Sequence, residues 1–248
     1  MKTRRYKSIV ANAGTNDAWE TAGAQKREAV QSLFGDIAGR YDLVNSAMSL
    51  RLHHRWRTEA VRMLGLLPGD TVADVCCGTA DFGLPLRRKI GDAGRIVGVD
   101  FCLPMLRVAQ EKKAPMALNL GDACALPLAS GSFDAVTVGW GLRNVADLSG
   151  ALSEIHRVLK PGGRFVSLDM AKPRNTVVRF ASSAAFSTLV PALGAVFGNR
   201  DAYKYLPKST DTFASRSELK VAFEAVGFTG VSYADMFFGN ICIHRGVA

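Results

Sequence analysis

The chain has 248 residues, of which 48% are hydrophobic, so it can bury the core of one medium-sized domain, which excludes a wholly disordered protein. Its formal net charge of +9 comes from two stretches: ten Lys and Arg against five Asp and Glu in 1–57, and ten against four in 160–220. These stretches favour a polyanionic partner, either nucleic acid or an anionic membrane face, about as much as they favour a merely soluble surface.

The cysteine spacing and the composition of the N-terminal residues predict where the protein lies and the state of its thiols. The five cysteines are an odd set without CxxC spacing, so the sequence predicts neither a disulfide framework nor a zinc site, and no metal is expected. Residues 11–32 are polar and lack the apolar core of an export signal. We therefore expect a cytoplasmic protein whose thiols are buried or lie in loops.

The first 65 residues are predicted to be mainly helical. Residues 1–22 are polar and are expected to be frayed. Apolar residues recur at helical spacing over 25–37, which predicts an amphipathic helix. In 40–56, aromatic, Asp, Asn and His residues interrupt the apolar pattern, and the next predicted helix covers 54–64.

From residue 71 onward, short apolar strands alternate with helices, which is the pattern of a doubly wound α/β sheet. The last two strands follow each other closely and form an antiparallel ending, which is unusual for a dehydrogenase. We predict a seven-stranded, Rossmann-like sheet, mostly parallel with an antiparallel C-terminal strand. The predicted strands are 71–76, 95–100, 116–123, 132–140, 164–170, 228–235 and 237–245, and the predicted helices are 80–90, 102–113, 147–159 and 217–226.

The connection over 171–215 is too long for an ordinary turn. Its residues 180–199 carry no charge, but Ser, Thr, Pro and Gly dilute the run below the hydrophobicity of a membrane-spanning helix. Two interpretations stay open: a buried helical excursion, or a lid over an apolar substrate pocket.

The first strand of the sheet ends in a turn of small residues, VCCGTAD at 75–81, where a parallel α/β sheet binds its cofactor. The GxGxxG fingerprint of a nicotinamide cofactor is absent. An adenosyl cofactor instead requires a carboxylate near its cationic methionine moiety, small turn residues, an acid for the ribose hydroxyls and a partner for adenine. The residues in that order are Asp74, Gly78, Asp100, Asp122 and Ala123. Although Asp100 is equally suited to cap a helix, the set predicts S-adenosylmethionine.

Longer motifs carry a family resemblance. The first motif consists of Tyr41-Asp42, Val44-Asn45, Met48-Ser49, His53 and Trp56. The second is RVLKPGG at 157–163 followed by a hydrophobic strand, and GLRN at 141–144 and DAYKYLPKS at 201–209 extend the match. With these motifs, the chain from about residue 26 to its end resembles the ubiquinone/menaquinone biosynthesis C-methyltransferases, class I enzymes that use S-adenosylmethionine on polyprenyl quinols. VCCGTAD resembles the branch that methylates demethylmenaquinone.

The resemblance implies the domain organisation and the activity. It implies an N-terminal helical cap in 1–65 and a methyltransferase domain in 66–248, with a helical lid in 171–215. The implied reaction is C-methylation of a polyprenyl quinol in menaquinone biosynthesis, with ubiquinone biosynthesis left open. The implied cofactor contacts are Thr79, Asp100, Asp122 and Ala123, of which Thr79 is also suited to cap a helix.

The chain departs from the family pattern mainly at small side chains. These changes are mostly conservative in size, so the implied activity stays in place. Gly139 stands where some relatives have a cofactor-contacting Ser, and we count it among the cofactor contacts. The other departures are Cys76 and Ala80 at positions where class I methyltransferases have glycines, Val44 for Met, Asp169 for Glu and Ala171 for Ser.

Methyl transfer to a ring carbon requires a base or a water relay, and a partner for the developing phenolate. We hypothesise that the first motif faces the GLRN segment across the acceptor pocket. Arg143 would stabilise the phenolate and orient a water, while Tyr41 or His53 would hold the ring hydroxyl. Alternatively, Asp42 and Asn45 only cap a helix and His53 lies at the surface. The predicted catalytic set is Tyr41, Asp42, Asn45, His53, Arg143 and Asn144.

A polyprenyl tail needs an apolar slot that opens toward a bilayer, for which the charge-free segment and the basic stretches are suited. We expect peripheral contact with the inner face of an anionic membrane, and no nucleic acid, since no interleaved aromatic and basic pattern appears. Homodimerisation, the ring type and the tail length stay open. The alternatives are a class I methyltransferase for another small apolar or phenolic acceptor, and a non-catalytic basic nucleic-acid-binding module.

Overall fold

One sheet of seven strands forms the centre of the protein. The computed structural model describes residues 23–197 and 209–248. The strand order is β3-β2-β1-β4-β5-β7-β6, and β7 runs antiparallel to both of its neighbours. This confirms the predicted doubly wound sheet with an antiparallel C-terminal strand. The strands are β1 Thr71–Val75, β2 Arg95–Asp100, β3 Ala117–Leu120, β4 Phe133–Gly139, β5 Leu159–Met170, β6 Thr229–Met236 and β7 Ile241–Val247.

The chain changes direction across the sheet between β1 and β4. From β1 it proceeds to β2 and β3 on one side, and it returns to β4 and β5 on the other. Both neighbours of β1 run parallel to it. At such a switch point the loops after the two central strands diverge and open a crevice at the carboxyl edge. The turn at 75–81 and the GLRN segment therefore lie at this edge together.

The helices cover both faces of the sheet and its carboxyl edge. In the described part of the chain they are α1 Ala24–Ile37, α2 Tyr41–Met48, α3 Leu52–Leu64, α4 Gly83–Ile90, α5 Leu103–Glu111, α6 Leu148–Val158, α7 Thr176–Phe197 and α8 Arg216–Ala225. The predicted helices over 25–37, 54–64, 80–90, 102–113, 147–159 and 217–226 are thus present, each with its ends shifted by up to three residues.

Helix α2 is missing from the predicted elements. Its residues Tyr41, Val44, Asn45 and Met48 recur at helical spacing, but they all line one cavity. The helix presents a mixed polar and apolar face to that cavity, so hydrophobic periodicity alone does not reveal it. The proposed capping role of Asp42 and Asn45 is wrong, because the residues at the N-caps of α2 and α3 are arginines.

Strand β5 begins earlier than the predicted residue 164. Leu159 pairs with Phe133, and Arg164 then pairs with Ala135. Strand β5 therefore has more residues between these two pairs than β4 has. The KPGG sequence forms an irregularity inside β5 instead of a turn before it.

The N-terminal helices belong to two packing units. Trp56, Ala60 and Leu64 of α3 pack in the core that covers one face of the sheet. By contrast, Val44 of α2 packs with Val30 and other residues of α1 in a small separate cluster. Within the expected cap in 1–65, α3 thus packs on the sheet, whereas α1 and α2 pack in small clusters, one of which includes Cys102 and Met105 at the start of α5. Residues 1–22 lie outside the described residues.

The expected lid is described only in part. Its first half is helix α7, and 198–208 lie outside the described residues, as does most of the DAYKYLPKS motif. No helix in 23–197 or 209–248 has the length and apolar character needed to cross a membrane.

The aromatic core between β5 and α8 should contribute strongly to the free energy of unfolding. Phe165 is fully buried and stacks on Phe223 with ring centroids 4.8 Å apart. Phe165→Ala should therefore lower the free energy of unfolding by roughly 3–5 kcal/mol in a urea titration. Phe238→Ala, at a side chain 79% exposed, is the control and should stay within about 0.5 kcal/mol. Equal losses in the two variants would contradict this assignment of the core.

Candidate active site

Two adjoining cavities lie at the carboxyl edge of the sheet. The first, the strand-end cavity, is lined by the ends of β1, β2 and β4 and includes Gly78, Asp100 and Asn144. The second, the cap cavity, has a volume of about 180 Å³ and lies between α1, α2, α3 and the loop before β7. Three residues line both cavities and form a shared wall: Phe34, Tyr41 and Trp140.

The turn after β1 has a backbone conformation that favours glycine. Gly78 has φ +54°, and a Cβ added to it would meet no atom within 4 Å. Cys76 and Ala80, at two positions where class I methyltransferases have glycine, have φ values of +54° and +65°. A left-handed conformation costs a non-glycine residue about 1–2 kcal/mol. The turn thus keeps its shape in spite of these side chains.

Asp74 lies beneath the turn and is fully buried in β1. Its Oδ1 accepts a hydrogen bond from Thr137 Oγ1 at 2.7 Å, while Oδ2 has no hydrogen-bond partner among the described residues. Burial raises the pKa of Asp74 to about 7, against the opposing effect of the Thr137 hydrogen bond. Asp74 lines neither the strand-end cavity nor the cap cavity, so any influence on a bound cation would act through space and not through direct contact.

Asp100 and Asp122 lie in the strand-end cavity, as the sequence predicts. Asp100 accepts from the backbone N–H of Gly78 at 2.8 Å and from that of Cys102 at 2.9 Å. Cys102 is the N-cap of α5, so the alternative that Asp100 caps this helix is wrong. Burial raises the pKa of Asp100 to about 6. Asp122 pairs with Arg27 at 3.2 Å, and Ala123 lines the cavity beside it.

Of the other two predicted cofactor contacts, Gly139 lines the strand-end cavity and Thr79 does not. The Thr79 hydroxyl donates to Asp42 Oδ1 at 2.5 Å, which turns its side chain toward α2. It caps no helix, because α4 begins after Phe82. A Cβ on Gly139 would lie 2.6 Å from the Phe82 ring. Phe82 therefore fills the space that a serine would need.

Arg143 reaches the cap cavity, whereas Asn144 does not. Arg143 is buried and donates to Asp169 Oδ1 at 2.5 Å, and its Nε has no hydrogen-bond partner in the described part of the chain. Burial raises the pKa of Asp169 even though Arg143 opposes the shift. Asn144 donates to the Trp140 carbonyl at 2.9 Å and lines the strand-end cavity.

His53 faces the cap cavity as a buried neutral imidazole, so the alternative of a surface residue is wrong. Arg57 Nη1 lies 2.5 Å from His53 Nδ1, and because arginine can only donate, Nδ1 must accept. The proton is then on Nε2, 3.3 Å from Ser46 Oγ. Burial and the Arg57 charge lower the pKa of His53 to about 4. His53 is therefore a hydrogen-bond donor here and not a base.

Tyr41 and Asn45 are further polar residues in the lining of the cap cavity. Burial raises the pKa of Tyr41, and a hydrogen bond with Asn45 opposes the shift. One face of α2 thus supplies four side chains to the same cavity: the phenol of Tyr41, the amide of Asn45, and the apolar side chains of Val44 and Met48.

Sequence reasoning missed three charged residues around the site. Arg57 lies 3.3 Å from Asp81, and Asp81 lies 2.8 Å from the ammonium group of Lys112. Arg57 follows His53 at the i+4 spacing of one helical face, so the sequence could have indicated that these two side chains lie together. No local sequence pattern points to Lys112, since it is 70 residues from its partner Asp42.

Solved structures identify the class of the fold. An S-adenosylmethionine-dependent methyltransferase of Thermotoga maritima has a TM-score of 0.64 at 20% identity, over 87% of this chain and 98% of that one. Phosphoethanolamine N-methyltransferase 2 of Haemonchus contortus, bound to S-adenosylmethionine, has a TM-score of 0.57 at 15% identity, over 78% and 52%. At such identities the likeness shows the fold alone, which is that of the class I methyltransferases.

Sequence relatives then identify the family. Residues 21–248 match the ubiE/COQ5 methyltransferase family. A demethylmenaquinone methyltransferase of Desulfitobacterium hafniense is 42% identical over 91% of this chain and 92% of its own length. That of Staphylococcus saprophyticus is 37% identical over 89% and 97%. The protein belongs to the ubiE/COQ5 methyltransferase family.

The strand-end cavity fits the methyl donor S-adenosylmethionine. Asp74 offers a buried, unpartnered carboxylate oxygen in the part of the chain described, and Gly78 leaves open space where a side chain would stand. The carboxylates of Asp100 and Asp122 line the same cavity and can accept from hydroxyl and amino groups.

Asp74→Asn should stabilise the cofactor-free protein at neutral pH. Because the native pKa of Asp74 is raised, the native state binds more protons than the unfolded state between about pH 4 and pH 7. This contribution to stability is complete at low pH and is lost as the pH rises through about 7. The variant should gain roughly 2 kcal/mol at pH 8 and little at pH 4, measured by urea unfolding.

The same variant should bind S-adenosylmethionine more weakly in calorimetry. Asp134→Asn is the matched control, because Lys160 at 2.7 Å lowers the pKa of Asp134 despite partial burial. The Asp134→Asn variant should lose a little free energy of unfolding and keep its affinity for S-adenosylmethionine. A destabilised Asp74→Asn protein at pH 8 would contradict the assigned cost of the buried charge.

Proposed function

We propose that the protein transfers the methyl group of S-adenosylmethionine to a ring carbon of demethylmenaquinol, the quinol form of demethylmenaquinone. The relatives named above are demethylmenaquinone methyltransferases, which supports this acceptor. The observation that carries the proposal is the wall shared by the two cavities. The two cavities adjoin at Phe34, Tyr41 and Trp140, so a cofactor in one lies next to an aromatic acceptor in the other.

The cap cavity suits a quinol ring. Most of its lining is apolar, including Trp56 and Phe237, whose ring centroids are 5.5 Å apart. Its polar lining includes Tyr41, which belongs to the shared wall and can accept a hydrogen bond from a ring hydroxyl or donate one to it. His53 can only donate one through Nε2, so these two residues orient the ring without removing its proton.

Arg143 provides the charge that the reaction needs. S-adenosylmethionine supplies an electrophilic methyl group bound to a sulfonium. A quinol carbon becomes nucleophilic as its hydroxyl loses a proton, and a guanidinium stabilises the phenolate that results. The carbon–methyl bond forms as the sulfur–methyl bond breaks, and S-adenosylhomocysteine is the leaving group. The methylated carbon then loses its own proton to water, and the ring oxygen regains one. Asp169 holds Arg143 in the lining of the cap cavity, where its guanidinium can stabilise the ring oxygen or a water that accepts the proton. Asp42 is not the base, since both of its oxygens are engaged.

Arg143→Ala should lower kcat by about 10²-fold or more while leaving the calorimetric affinity for S-adenosylmethionine within about twofold, because one phenolate-stabilising cation is lost. The change also leaves Asp169 buried without its partner, which destabilises a protein by about 3–5 kcal/mol. The double variant Arg143→Ala/Asp169→Asn removes that charge and controls for folding. Wild-type turnover in the double variant would remove Arg143 from the mechanism.

One assay tests the acceptor. Methyl-labelled S-adenosylmethionine is supplied with reduced demethylmenaquinone, with the benzoquinol analogue, and with a sterol or simple phenol, side by side. We expect label in the naphthoquinol product. Label only in another acceptor would favour the broader methyltransferase, while absence of cofactor binding would favour a nucleic-acid-binding module.

The acceptor's polyprenyl tail should leave the cap cavity toward a membrane. Leu50 and Phe237 line this cavity and are 82% and 47% exposed, and Phe238 beside them is 79% exposed. The exposed arginines Arg51 and Arg55 follow Leu50. Apolar side chains beside arginines match the inner face of an anionic membrane, which supports a cytoplasmic protein with peripheral membrane contact.

Sedimentation with liposomes containing anionic lipid tests this contact. Leu50→Ser/Phe238→Ser should reduce the bound fraction several-fold at low salt, because apolar area that enters the interface is lost. Leu67→Ser, 63% exposed just before β1 at the opposite edge of the sheet, is the control and should bind as the wild type does. Absence of wild-type binding at low salt would refute membrane contact.

A further inference from the structure

A lysine outside both cavities connects the elements that form them. Lys112 follows α5, and its Nζ lies 2.6 Å from Asp42 Oδ2 and 2.8 Å from Asp81 Oδ1. Asp42 belongs to α2, next to Tyr41, and Asp81 belongs to the turn after β1. The lysine therefore bridges the helix that lines the cap cavity and the turn that lines the strand-end cavity.

The carboxylate oxygens of Asp42 and Asp81 that do not contact Lys112 make further contacts. Asp42 Oδ1 accepts from Thr79 Oγ1 at 2.5 Å, within the same turn. Asp81 Oδ2 lies 3.3 Å from Arg57, and the Arg57 guanidinium lies 4.7 Å from the centroid of the Trp140 ring. The series of contacts thus ends at the wall that the two cavities share.

The charges in this series balance only with the lysine present. Two carboxylates, Asp42 and Asp81, face two cations, Lys112 and Arg57. Burial alone would lower the pKa of Lys112, but its hydrogen bonds to the two carboxylates outweigh that effect and raise it, so the group is cationic at neutral pH. Without Lys112, like charges remain on α2 and on the turn, and they repel each other.

Apolar packing holds α2 only weakly. The buried residues of one cluster are Val30, Leu33 and Val44, of which one belongs to α2. Tyr41 of α2 packs against a second small cluster that includes Cys102 and Met105. Helix α3, in contrast, shares the large core under the sheet. The position of α2 relative to the turn therefore depends on the polar contacts of Asp42 together with these small clusters.

We propose that Lys112 is a positioning residue that couples ligand occupancy of the strand-end cavity to the position of α2, and so to that of Tyr41. A ligand that orders the turn at 75–81 also orders Thr79 and Asp81, and Lys112 transmits this order to Asp42. The inference rests on the proposed function, because it takes S-adenosylmethionine as that ligand.

Hydrogen exchange of the intact protein, with and without saturating S-adenosylmethionine, tests the coupling. In the wild type, the cofactor should slow amide exchange in Tyr41–Met48. Lys112→Met keeps the aliphatic stem and removes the charge, and it should reduce this slowing at least fivefold and lower kcat about tenfold, since small misplacements of reacting groups are costly. Lys112→Arg should restore most of both effects. Lys113→Met, at the exposed neighbouring residue, is the matched control and should behave as the wild type does.

The outcomes separate the two proposals. Cofactor-dependent slowing that persists in Lys112→Met would overturn the coupling alone, as would an equal loss in Lys113→Met. A lower thermal stability of Lys112→Met with unchanged slowing and kcat would show a purely structural contact, and would also overturn it. Absence of cofactor binding by the wild type in calorimetry would overturn the proposed function, and the coupling with it.

Discussion

The parallel pairing of β1 with β4 is the constraint on which the site depends. Val75 lies opposite Val138, so the turns after both strands leave the sheet side by side. Their contact is close: a Cβ on Gly141 would lie 2.5 Å from that of Cys76. Cys76 and Trp140 both have positive φ values. Strained backbone on each side of the switch point directs one turn into the strand-end cavity and the other along the shared wall.

Charge is divided between the two sides of that wall. Asp74 and Asp100 lie beneath or within the strand-end cavity, and burial raises the pKa of each. Arg57 and Arg143 line the cap cavity. A cationic methyl donor is favoured near carboxylates, and a phenolate is favoured beside guanidinium groups. The arrangement therefore complements the charges that methyl transfer develops, with carboxylates on the side of the strand-end cavity and guanidinium groups on the side of the cap cavity.

The sheet and the strand-end cavity could be predicted because local patterns determine them. Apolar strands at regular spacing predict the parallel sheet, and acids at strand ends predict Asp100 and Asp122 in one cavity. The cap cavity could be predicted only in part. Helix α2 lacks an apolar stripe because its inner face lines a cavity. The partners of Thr79 and Lys112 are 37 and 70 residues away, so no local pattern encodes them.

The small apolar clusters around α2 have a consequence for substrate entry under the proposed function. A segment held by small apolar clusters opens at a lower free-energy cost than one that shares the main core. Helix α3, which carries His53 and Arg57, shares the main core. Displacement of α2 would therefore uncover the cap cavity without disturbing the sheet or α3, and the contacts of Asp42 with Thr79 and Lys112 would favour its return.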